Sequence, residues 1–94
     1  MNNEIPHVID VCALENWRLR VHFKLQGWRE LDMQPYLTFG VFQSLQDVAI
    51  FKYVKDAFGT LEWPGGIDLD PEWLLEHATK LGLVAETVMP YDAH

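Results

Sequence analysis

The chain has 94 residues, a formal net charge of −7, 49% hydrophobic residues and 13% aromatics. That length suits one domain with one core and excludes two cores joined by a linker, while the apolar content is enough to fold without disulfides or a metal. The acidic balance argues against nonspecific nucleic-acid binding, which relies on clustered Lys and Arg to neutralise phosphates.

Residues 1–6 hold neither a basic stretch nor an apolar run long enough for a signal peptide or a membrane span, so a soluble, cytoplasmic protein is expected. The single cysteine, Cys12, excludes an internal disulfide, fits a reducing compartment and is expected to be buried as a small hydrophobe. Residues 7–14 are rich in Val, Ile and Leu and read as a strand, followed by a polar turn at Glu15-Asn16. Residues 17–25 alternate apolar and polar, the period of a strand with one buried face. Gln26-Gly27 then turns the chain into a third strand over 28–33, completing a meander.

Pro35 interrupts the strand pattern, and 41–45 suggests a short helical turn. The runs 51–58 and 60–63 flank Gly59 and predict a second hairpin turning at Phe58-Gly59, with Pro64-Gly65-Gly66 ending the sheet. Asp70-Pro71-Glu72 supplies a capping side chain, a proline at the first helical position and an acid favourable to the helix dipole, so a helix starts there. The stripe Leu74, Leu75, Ala78, Leu81 and the stop Lys80-Leu81-Gly82 predict a helix over 71–81, with a frayed tail over about 89–94. The expected fold is therefore α+β, a mostly antiparallel sheet of a three-stranded meander plus a second hairpin, with one C-terminal helix.

Charge is uneven along this pattern. Residues 1–30 balance four acids against Arg18, Arg20, Lys24 and Arg29, whereas only Lys52, Lys55 and Lys80 oppose the other ten of the fourteen carboxylates. Arg18, Arg20, His22 and Lys24 share one face of the second strand, about 7 Å apart, where an anion could lie. A solvated face whose charges are matched by Glu30 and Asp32 on the next strand is the plainer alternative. Asp68, Asp70 and Glu72 superficially suggest an oxygen-rich cation site, but the helix start already accounts for Asp70 and Glu72, leaving Asp68 the least explained. The histidines at 7, 22, 77 and 94 lack zinc-ligand spacing, and no nucleophile motif or phosphate loop is present, so no metal or cofactor is expected. Trp17, Trp28, Trp63 and Trp73 suit core packing, with an oligomer or partner surface as the alternative.

The stretch 45–74, with Phe51, Trp63-Pro64, Gly66 and Asp68-Leu69-Asp70-Pro71-Glu72-Trp73-Leu74, resembles the bacterial domain of unknown function 2442 family. Leu19, Phe23, Gly27, Arg29, Asp32, Pro35 and Val41-Phe42 extend the resemblance over roughly residues 7–75. It implies a compact prokaryotic α+β domain, found alone or beside a helix-turn-helix DNA-binding domain, with no established activity and no catalytic residues to carry over. The segment 76–94 continues beyond many members and is too short for such a DNA-binding domain, so that association does not transfer directly.

Three functions stay open on these grounds. One is a non-enzymatic interaction module that forms a homodimer or docks a small protein partner. A second is a regulatory domain holding an anion or small ligand on the Arg18/Arg20/Lys24 face or in the loop from Trp63 to Trp73. The third is a small enzyme using Asp68 with His22 or His77.

Overall fold

A computed structural model describes residues 5–80. Two antiparallel sheets enclose one core. The larger has the order β1-β2-β3-β7, from Val8–Leu14, Arg18–Phe23, Gly27–Asp32 and Thr79–Lys80; the smaller has β4-β5-β6, from Lys55–Ala57, Thr60–Trp63 and Ile67–Leu69. Two short α-helices, α1 (Val48–Phe51) and α2 (Pro71–His77), and 3-10 turns at Gln34–Tyr36 and Gly40–Gln46 complete the α+β fold. It carries more helix than the single C-terminal element expected.

The alternation in β2 buries Leu19, Val21 and Phe23 completely and turns Arg18, Arg20 and His22 outward. Leu31 and Met33 join them from the next strand and its end, and Leu61, Trp63, Ile67 and Leu69 face them from the small sheet. Leu37, Leu45, Phe51 and Leu74 close the core from the helical segments. Trp63 is its largest side chain: it is 1% exposed, its ring stacks on Phe51 at 6.1 Å, and its Nε1–H donates to the Phe51 carbonyl at 2.9 Å. That bond satisfies the one polar atom the indole takes out of water.

In β1 a bulge reverses the expected phase. The register steps from Val8↔Phe23 to Asp10↔His22, so Ile9 is the extra residue and both Val8 and Val11 face inward. Cys12, opposite Arg20, consequently lies on the outer face and is exposed, contrary to the burial its apolar neighbours predict.

The hairpin at Phe58-Gly59 forms as predicted, with φ of 54° and 85° at its two central residues. Gly59 is required twice over: beyond its positive φ, a Cβ there would lie 2.6 Å from His7 Nδ1. The close approach lets Val8 N–H donate to the Gly59 carbonyl at 2.9 Å, seating the small sheet beside the start of β1.

Three boundaries differ from expectation. Residue 51 ends helix α1, and β4 begins only at Lys55, because the Asp47 side chain accepts from Ala49 N–H and caps a helical turn within the apolar run. Pro64-Gly65-Gly66 does not end the sheet: the two glycines, at φ of 95° and 81°, return the chain into β6, with Trp63 paired to Ile67. Helix α2 stops at His77 rather than 81, because Ala78 turns extended and Thr79 and Lys80 pair with Glu30 and Arg29 on the free edge of β3. The expected stop at Leu81-Gly82 and the tail over 89–94 lie outside the described residues.

Candidate functional site: an aromatic and acidic cleft

The cationic row on β2 is engaged by its neighbour strand. Register places Arg20 opposite Glu30 and Arg18 opposite Asp32. Glu30 divides its two oxygens between Arg18 Nη1 at 2.7 Å and Arg20 Nη2 at 3.6 Å. Asp32 accepts instead from Gln34 N–H at 3.0 Å. His22 stacks on Trp28, centroids 4.4 Å apart and planes 14° from parallel. Lys24 stands beyond the last paired residue, exposed in the turn that leads to β3. Trp63 belongs to the core, so the loop from Trp63 to Trp73 offers only Trp73 of its two tryptophans to a ligand.

A second surface gathers residues from two stretches far apart in the chain, 36–42 and 68–77. An open cleft of about 600 Å³ is lined by Tyr36, Phe39, Phe42, Asp68, Leu69, Asp70, Trp73 and His77. One wall is α2. Asp70 Oδ2 accepts from Trp73 N–H at 3.3 Å, Pro71 occupies the first turn, and the helix so started places Trp73 and His77 four residues apart on one face. Their rings stack at 4.1 Å and 18°. His77 Nδ1 lies 2.9 Å from the Trp73 carbonyl; a carbonyl can only accept, so Nδ1–H is the donor.

The opposite wall is the segment 34–46. Tyr36 closes the first 3-10 turn, Phe42 lies in the second and Phe39 in the extended link between them, and all three line the cleft. Tyr36 meets Trp73 nearly perpendicularly, at 5.1 Å and 75°, and lies 6.4 Å from Phe39. Side chains hold this wall in place: Gln46 Nε2 donates to the Leu37 carbonyl at 2.9 Å, Gln43 Nε2 to Thr38 at 3.1 Å, and Trp17 Nε1 to Leu45 at 2.7 Å. The last of these ties the wall to the β1–β2 turn, where Asn16 and Trp17 both adopt positive φ.

Asp68 differs from Asp70, the other acid of the cleft, whose carboxylate caps α2. It lies directly across from Glu62 on β5, so two carboxylates face each other on the same side of the small sheet. Lys55 Nζ lies 3.8 Å from Glu62, whereas Asp68 makes no ion pair or side-chain hydrogen bond among the described residues. The structure thus brings Asp68, Trp73 and His77 to one cleft and leaves Arg18, Arg20 and His22 on the other sheet. The residues missed from the sequence are Tyr36, Phe39 and Phe42; the density of aromatics in 36–42 was the available signal.

Among the described residues no group of three or more His, Cys, Asp or Glu is gathered where it could hold a metal ion. Nor, among those residues, is any helix long and apolar enough to cross a membrane. The family model described as Protein of unknown function (DUF2442) matches residues 8–80. No curated protein and no solved structure matches the chain.

Proposed function

Since the chain belongs to the DUF2442 family of proteins of unknown function, a membership that brings no activity with it, we propose that it is a non-enzymatic interaction module that docks a protein partner in the cleft between α2 and residues 34–46. The observation that carries this reading is a contrast in one chain: Arg18 and Arg20 on the large sheet are both matched by Glu30, whereas the cleft presents aromatic side chains, Phe39 among them at 59% exposure, beside Asp68, which has no counterion among the described residues. Exposed aromatics held by a fixed wall lose little conformational freedom on binding, which is what anchors at interface centres need. A cytoplasmic setting fits the single cysteine, which stands exposed on β1.

The test compares the tagged wild-type chain with Phe39→Ser in retaining protein from native lysate. Phe39 is exposed enough for the substitution to leave the fold intact. Wild type should hold a stoichiometric partner that the variant loses; equal recovery by both would remove the cleft from the reading.

Self-association is the second reading, and Phe58 favours it. This phenylalanine is fully exposed at the tip of the β4–β5 hairpin, in a left-handed conformation that costs a bulky residue about 1–2 kcal/mol. Within the described chain nothing offsets that cost, and burial against a second copy would. Asn suits the same turn position, so Phe58→Asn should raise the melting temperature while lowering dimerisation in sedimentation equilibrium. A wild-type chain that sediments as a monomer at high concentration would sink this second reading.

A further inference from the structure

We infer that the cleft recognises a guanidinium, the side chain of an arginine in a basic segment of the partner; this rests on the docking reading above and names the chemistry of what docks. Two observations point to a planar cation and a third to its lying within a longer segment. First, Asp68 is held across from Glu62, and like charges in directly paired strand positions repel. Lys55 offsets that repulsion only from the Glu62 side, so a positive group at Asp68 would relieve what remains.

Second, the opening beside Asp68 is walled by Tyr36, Phe39, Phe42 and Trp73. Aromatic faces carry negative charge density and attract cations, and a guanidinium both stacks on such faces and pairs with a carboxylate through two parallel N–H donors. An ammonium is compact and strongly hydrated and uses only the charge. An anion is excluded on the same grounds, since Asp68 and Asp70 both border the opening.

Third, the cleft of about 600 Å³ is larger than one side chain needs, so residues flanking the arginine fit with it. The net charge of −7 adds long-range attraction for a basic segment.

The experiment titrates the full chain with a blocked Gly-Arg-Gly peptide, following the indole signal of Trp73 and the ring signals of His77 by NMR. The controls are the same peptide carrying citrulline, which keeps the shape and loses the charge, and one carrying lysine. The arginine peptide should shift both residues saturably, with citrulline and lysine each at least fivefold weaker, and Asp68→Asn should weaken arginine binding about tenfold while Asp68→Glu largely restores it. Equal binding of the citrulline peptide, equal binding of the lysine peptide, no saturable shift with arginine, or an unchanged affinity in Asp68→Asn would each overturn the assignment.

The two levels fail separately. A natural partner lost by Phe39→Ser but kept by Asp68→Asn leaves the docking surface standing and overturns the guanidinium. A partner kept by Phe39→Ser removes the surface itself.

Discussion

Glu30 and Asp68 occupy comparable places in the two sheets. Each lies on an outward face, directly across an antiparallel pair from another charged residue. Opposite Glu30 is Arg20, with Arg18 on the diagonal, and the Glu30 side chain is only 18% exposed as its carboxylate binds both. Opposite Asp68 is Glu62, and Asp68 is exposed. A carboxylate that its surroundings favour serves the fold. One that its surroundings penalise has a place in the sequence that the fold alone does not explain, and proteins commonly give up stability at positions used for binding.

That contrast makes opposite predictions for the two acids, to be measured against a reference that affects both sheets. The largest effect should come from Trp63→Ala, which empties the centre of the shared core and leaves the Phe51 carbonyl without its donor: about 3–5 kcal/mol of stability lost in urea unfolding. Next comes Glu30→Ala, which leaves two half-buried guanidinium groups without their partner and should cost about 1–2 kcal/mol, less in high salt because both arginines reach water. The smallest and most telling is Asp68→Asn, which removes the repulsion with Glu62 and should raise stability by about 0.2–1 kcal/mol, a gain that shrinks as salt is added. A loss of stability in Asp68→Asn would show the acid to be part of the fold after all and erase the contrast with Glu30.

The meander, the second hairpin's turn and the start of α2 were readable in the chain because their signals are local. Leu19, Val21 and Phe23 alternate with polar residues without interruption, and Phe58-Gly59 and Asp70-Pro71 mark a turn and a helix start by their own backbone chemistry. What was missed depends on contacts between distant residues. The stripe of Leu74, Leu75, Ala78 and Leu81 predicts a helix running past His77, but the free edge of β3 takes Thr79 and Lys80 into a strand. Cys12 is misread because the bulge at Ile9 is invisible to a strict period of two. Trp63 and Trp73 look alike in sequence and part in the fold, one into the core and one onto the cleft. Their difference arises from the segment 34–46, whose aromatics meet Trp73 only after the chain has closed on itself.

The bulge at Ile9, which sets the side chains facing the core, also shapes how the molecule behaves in crowded solution. β1 lies at the edge of the larger sheet, the position at which a stray chain can add a strand and start a growing aggregate. Here the edge is irregular, the Val8 amide is already bonded to Gly59, and the Val11 amide is capped by the carboxylate of Asp10 at 2.8 Å. An incoming strand meets a kinked edge, two occupied donors and a negative charge. Assembly of copies through this edge is thereby disfavoured.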